Sequence, residues 1–244
     1  MHINKDLENP PSETVLPVSA TSCHVTEPRT AQPGAESRHL YFAYGSNLSP
    51  SQMRQRCTVN PSLSSKPLAI ALLPKWRWLI CEAGYANVLP PEGMREGPQR
   101  SDLARKVPVS GVEDAVYGVL YEMDPADETI LDGYEGVDQN AEEADGSGEV
   151  GVDVRPREQG EGDYNKWYLP AQIIEWIDEG DHRLKTGKGQ EVPVLVYVDE
   201  ERVIVGPPKT EYIGRMNRAI RESEALGVSG KWLEEVLRRF IPRE

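Results

Sequence analysis

Cysteine and histidine are scarce in this 244-residue chain, with three of the first and four of the second. Cys23, Cys57 and Cys81 are odd in number and lack the spacing of a metal site. This predicts free thiols in a reducing compartment and no bound metal. His2, His24, His39 and His182 are scattered, which argues against both a zinc centre and a Ser-His-Asp triad. Long apolar runs are absent too. The longest, 68–73 and 192–198, fall far short of a bilayer span. The opening residues lack the apolar stretch of a secretory signal. The expectation is a cytoplasmic protein with no membrane partner. A glycine-rich loop ending in Gly-Lys-Ser/Thr is also missing, which excludes a phosphate-loop enzyme, and no cofactor is expected.

Basic charge is in short supply, with 27 Lys and Arg against 40 Asp and Glu for a net charge of −13. Such a surface repels phosphates, so a nucleic-acid partner is not expected. Much of the excess is local. Residues 138–163 hold nine acids and two arginines, a net of −7. This glycine-rich stretch is too long for an ordinary connection and reads as a mobile acidic insertion. Residues 1–37, rich in Pro, Ser, Thr, Ala and Glu, read as a flexible tail that buries too little to offset its ordering entropy. Residues 38–244 then form a single folded domain.

The ordered part begins with a β-type run at 39–44 that ends at Gly45. A helix start follows. Ser49 is placed as N-cap, Pro50 as the first helical residue and Gln52 as the third position of a capping box, with Leu48 and Met53 spaced for a hydrophobic staple. The turn at 44–47 therefore presents free backbone amides, a ready site for a carboxylate. Further strands are expected at 68–73, 77–81, 85–89, 115–123, 169–177 and 192–198. After the fourth of these, Asp124 and Pro125 open a short helix that Gly133 is expected to stop. Helices are also expected at 211–226, with Tyr212, Ile213, Met216, Ala219 and Ile220 on one face, and at 230–240. The pattern suggests an α+β class, a small mixed sheet or barrel with helices at its ends.

Two segments bear on chemistry. Tyr41-Phe42-Ala43-Tyr44-Gly45-Ser46-Asn47-Leu48 is a strand running into a helix, and by itself needs no function. Leu131-Asp132-Gly133-Tyr134-Glu135-Gly136-Val137 sets a glutamate just past a helix, beside a glycine where backbone can approach a ligand. Partial burial of such a carboxyl would raise its pKa and suit it to proton transfer.

Together, roughly ninety residues apart, the two segments resemble the γ-glutamylcyclotransferase family. Gly84-Tyr85-Ala86-Asn87-Val88, residues 116–121, and Pro207-Pro208 followed by Tyr212 are weaker echoes, so the similarity spans about 39–240. The resemblance implies a small mixed β-barrel flanked by helices. It also implies closure of a small-molecule γ-glutamyl substrate, a γ-glutamyl amino acid or glutathione-type conjugate, to 5-oxoproline with release of the amine, a lyase-type intramolecular cyclisation. Glu135 would correspond to the catalytic glutamate. Tyr41, Phe42, Ala43, Tyr44, Gly45 and Ser46 would form the substrate-holding loop, with Asn47 supporting its turn. A late substrate-contacting tyrosine is matched by Tyr197 or Tyr212, with Tyr212 preferred. The acidic insertion departs from the family pattern. Two alternatives accompany this reading, a cyclotransferase for γ-glutamylamines and a non-catalytic γ-glutamyl-binding protein of the same fold.

Overall fold

The apolar residues at 40–43 become strand β1 (Leu40–Ala43), buried along its whole length. They belong to a computed structural model that describes residues 39–177 and 189–244. The readings made for residues 1–37, and for His182, lie outside the described residues. After β1 come α1 (Pro50–Arg56), α2 (Pro61–Ser64), β2 (Pro67–Pro74), β3 (Arg77–Ile80), β4 (Ala86–Leu89) and α3 (Asp102–Arg105). They are followed by β5 (Ala115–Glu122), α4 (Pro125–Tyr134), β6 (Asn165–Trp176), β7 (Glu191–Val198), α5 (Thr210–Ala225) and α6 (Gly230–Glu235).

Five strands close into a barrel in the order β1-β5-β2-β6-β7, and β7 returns to β1. That last pairing is parallel and the others are antiparallel, so the barrel is mixed. Closure removes exposed strand edges. β3 and β4 form a separate antiparallel hairpin. The α+β class and the helix-flanked mixed barrel are both present.

Strand β2 is nearly all apolar and is buried along most of its length, which is why its run was legible. Strand β6 behaves differently. Trp167, Leu169, Ala171 and Ile173 face the core, whereas Lys166, Tyr168 and Pro170 face outward. That alternation dilutes the apolar signal, so β6 starts at Asn165 rather than at the expected 169. Trp78 and Trp167 are fully buried. Truncating either to alanine would cost roughly 3–5 kcal/mol.

Three local expectations need correction. Helix α4 runs through Gly133 to Tyr134. Its end is instead a Schellman closure, in which the Val137 amide donates to the Asp132 carbonyl and the Gly136 amide to that of Gly133. The helix expected over 230–240 breaks after Glu235 and continues as a 3-10 turn at Leu237–Arg239. On α5, Tyr212, Met216, Ala219 and Ile220 are buried, whereas Ile213 is only half-buried.

The acidic segment follows a defined path. It leaves and returns at one point, where the Asp163 amide donates to the Gly136 carbonyl at 2.8 Å. Between those ends, Glu143 pairs with Arg157, and the Val150 amide donates to the Glu96 carboxylate. Cys57 and Cys81 are buried thiols, and burial pushes that of Cys57 up to about 12. Neither is placed as a nucleophile.

Candidate active site

The turn after β1 is braced from several sides. Ser49 caps α1 by accepting the Gln52 amide at 3.1 Å, with Pro50 in the first turn. The returning half of the expected capping box is not formed. Gln52 donates instead to Ser46 Oγ (2.5 Å) and Asn47 Oδ1 (3.3 Å), and its own oxygen accepts from Arg218 (2.8 Å). The sequence motif thus stiffens the loop as well as starting the helix. At Gly45 a Cβ would lie 3.0 Å from the Tyr212 hydroxyl and 3.2 Å from the Ala86 Cβ, so any larger residue would crowd α5 and β4 here. The Ser46 amide donates to that hydroxyl at 3.3 Å. The Leu48 and Ser49 amides turn back onto Gly45 and Ser46. The amides of Gly45 and Asn47 find no hydrogen-bond partner among the described residues.

Glu135 reaches the same place from the far side of the sequence. It is the C-cap of α4, and Gly136 with φ +64° permits the left-handed residue that the closure demands. A Cβ at 136 would also lie 2.8 Å from the Asp163 carboxylate. Glu135 Oε1 accepts from Asn47 Nδ2 (3.1 Å) and from Arg56 Nη1 (2.7 Å). Its Oε2 has no partner among the described residues. Asn47 also donates to the Tyr41 hydroxyl at 2.9 Å, so one amide group links β1, the turn and the end of α4.

These elements enclose a cavity of about 340 Å³ that contains both the turn and Glu135. Burial raises the Glu135 pKa above its ordinary value, and the charge and hydrogen bond of Arg56 oppose the rise. Burial also pushes the phenol of Tyr212 up to about 12, with Glu135 adding to the shift. The phenols of Tyr41, Tyr44, Tyr164 and Tyr197 are raised as well, chiefly by burial. All five stay neutral at physiological pH. The cavity therefore has one carboxyl suited to carrying a proton, set among neutral hydroxyls and two open amides.

Of the residues singled out in the sequence, Tyr41, Tyr44, Gly45, Ser46, Asn47, Glu135 and Tyr212 line this cavity. Phe42 and Ala43 do not. Both are fully buried in the barrel core, because the strand that delivers the turn must itself be packed. Tyr197 lines the cavity together with Tyr212, so both late tyrosines are present. The Tyr197 hydroxyl is already engaged, donating to Asp132 of α4 at 2.6 Å.

Sequence reasoning missed Arg56, Arg202, Arg215 and Asp163, all of which line the cavity. Arg215 had a usable signal, since it lies three residues after Tyr212 on α5 and stacks over that ring at 4.9 Å. Arg56 had none, because only the tertiary fold brings α1 beside the end of α4. Asp163 shows that the acidic segment reaches the rim, where it pairs with Arg202 at 2.7 Å.

No family model matches this chain, and no curated protein matches it. Solved structures do. YkqA from Bacillus subtilis is similar at 16% identity over 86% of this chain and 57% of its own, with a TM-score of 0.51. This chain thus spans little more than half of that protein. A γ-glutamyl cyclotransferase is similar at 18% identity, covering 85% of this chain and 90% of its own, with a TM-score of 0.49. The uncharacterized protein loc79017 from Homo sapiens is similar at 18% identity, covering 86% and 91%, with a TM-score of 0.47. At such identity the likeness to YkqA is one of fold alone.

Proposed function

We propose that this protein is a γ-glutamylcyclotransferase, acting on a γ-glutamyl amino acid or a glutathione-type conjugate. One observation carries the reading. A partly desolvated carboxyl, Glu135, shares a cavity with the Gly45–Asn47 turn and is held by Asn47 at 3.1 Å. The motif resemblance of those two segments supplies the substrate class.

A γ-glutamyl compound carries its own nucleophile, an α-amine one five-membered ring away from the γ-carbonyl. No serine or cysteine is required, and orientation alone supplies a large part of the rate. Glu135, through its unpartnered Oε2, takes a proton from the α-ammonium. The amine then forms its C–N bond to the γ-carbon, and the carbonyl oxygen becomes an oxyanion. As that intermediate collapses, the bond to the leaving nitrogen breaks. Glu135 returns that proton to it and takes the second proton still carried by the new ring nitrogen, which yields 5-oxoproline; the released amine carries this second proton away as its ammonium. The open amides of Gly45 and Asn47 would serve the oxyanion or the α-carboxylate. A preorganised donor to an oxyanion is worth about 3 kcal/mol of barrier.

Arg215 at the cavity wall favours a leaving amine that carries a carboxylate, an amino acid or peptide, over a simple γ-glutamylamine, whereas Arg202 is already engaged by Asp163 and Asp199. The test is release of 5-oxoproline from γ-glutamyl amino acids, glutathione conjugates and a γ-glutamyl alkylamine whose leaving amine has no carboxylate, followed by chromatography. Turnover of the carboxylate-bearing substrates supports the reading. Turnover confined to γ-glutamylamines would shift it to the second enzyme class. Binding without release from any substrate would leave a binding protein.

A further inference from the structure

A second cavity, of about 500 Å³, opens where β2 turns into β3. It lies at the Arg77↔Leu89 end of the β3–β4 hairpin, whereas the Ile80↔Ala86 end borders the candidate active site. Three strand steps, about 10 Å, separate the two ends. In a chain of net charge −13 this cavity is lined by four cations, Lys75, Arg77, Arg95 and Arg105, and two acids, Glu92 and Asp114.

The acids are already engaged. Asp114 pairs with Arg77 at 2.8 Å, and Glu92 with Arg105 at 3.4 Å. Lys75 and Arg95 have no ion-pair partner among the described residues. Arg95 is only 8% exposed. Its Nε donates to the Pro90 carbonyl at 2.9 Å, and its terminal nitrogens have no hydrogen-bond partner among the described residues. A guanidinium whose stem is buried while its terminal fork opens into the cavity, beside a second guanidinium that repels it, is an arrangement that an anion can join. Burial and the charge of Arg77 lower the Arg95 pKa, and Glu92 and Asp114 only partly oppose them.

The backbone points to the same place. Among the described residues, the non-glycine positions with positive φ are Lys75 (68°) and Asp114 (51°), and both line this cavity. The Lys75 amide donates to the Asp114 carbonyl at 2.7 Å, which locks the two left-handed residues together. Such conformations collect at ligand-holding positions.

We propose that this cavity is an anion site, distinct from the candidate active site, that holds the phosphate group of a small phosphorylated molecule through Lys75 and Arg95. Two uncompensated positive charges match a dianion better than a carboxylate monoanion. An open guanidinium fork fits tetrahedral phosphate oxygens, and the lysine adds a mobile point charge. Elsewhere the negative surface repels such a ligand, so the local field must come from this cluster.

The test is a titration of the full chain with inorganic phosphate at constant ionic strength, read by calorimetry and by amide NMR shifts, with acetate as the monoanion control. Saturable phosphate binding is expected, with shifts at Lys75, Arg95 and Asp114 and little response to acetate. Arg95→Gln and Lys75→Asn should each weaken it by about tenfold, the loss of one charge-assisted contact. Asparagine tolerates the left-handed backbone and Lys75 is exposed, so that variant stays informative if Arg95→Gln fails to fold. No saturable binding would overturn the proposal, as would shifts centred on Gly45–Asn47, or Lys75→Asn binding phosphate like the parent chain.

Discussion

Replacing Glu135 with glutamine tests the mechanism with little change of shape. In the parent chain Oε1 accepts from Asn47 and Arg56, at 3.1 and 2.7 Å, while Oε2 has no hydrogen-bond partner among the described residues. A glutamine can place its carbonyl oxygen where Oε1 lies and keep both donors. Its amide then occupies the position of Oε2, where it cannot accept a proton. General acid–base catalysis is worth about 10²–10⁴ in rate, so kcat should fall by that factor, about 3–5 kcal/mol of barrier, with KM nearly unchanged. The assay is 5-oxoproline release from a γ-glutamyl amino acid across pH. The parent's acid limb should lie above the ordinary glutamate range, because burial raises the Glu135 pKa and the base must be ionised to act. That limb should vanish in the variant. Stability gives an independent readout. The folded state holds this proton more tightly than the unfolded chain does. The contribution of Glu135 is therefore fully present below about pH 4.5, its ordinary value, and is lost as pH rises through the raised pKa. Glu135→Gln should remove that loss. A variant whose kcat stays within about threefold of the parent's would refute the assignment of proton transfer to this residue.

Arg56→Gln removes the charge that opposes the raised Glu135 pKa, so the acid limb of kcat/KM should move to still higher pH; an unmoved limb would show that Arg56 does not act on the carboxylate. Gly136→Ala puts a Cβ on a residue with φ +64° and against Asp163, so denaturant unfolding should report a loss of about 1–3 kcal/mol, with kcat falling as Glu135 is displaced. Unchanged stability would mean that the α4 closure does not depend on that glycine. The Tyr121 hydroxyl is buried without a partner among the described residues, so Tyr121→Phe should stabilise the fold by about 1–2 kcal/mol in thermal unfolding. A destabilised Tyr121→Phe would indicate an unseen partner for that oxygen.

Features set by neighbours along the chain were legible in the sequence. Ser49 and Pro50 begin α1 as their types dictate, because capping involves residues only three apart. The uniformly apolar β2 was plain, and the alternating β6 was found only in its second half. From sequence alone Gly133 reads as the stop of α4, because glycine ends helices in general. The stop is really decided by which glycine can take the left-handed position that the 132–137 bonds require, and that residue is Gly136.

By itself the sequence determined a set of strands fit for a small mixed sheet or barrel, the strand-to-helix turn at 44–47 and a glutamate beside a glycine. It could not say that these two lie 3.1 Å apart, that Arg56 grips the carboxylate, or that Phe42 and Ala43 belong to the core. Nor could it assemble Lys75, Arg77, Arg95 and Arg105 around one cavity. The physical reason is the same throughout. Capping and alternation are local interactions that spacing encodes. Burial, ion pairing and the pKa shifts they cause depend on which distant segments share a small volume, and only barrel closure and helix docking settle that.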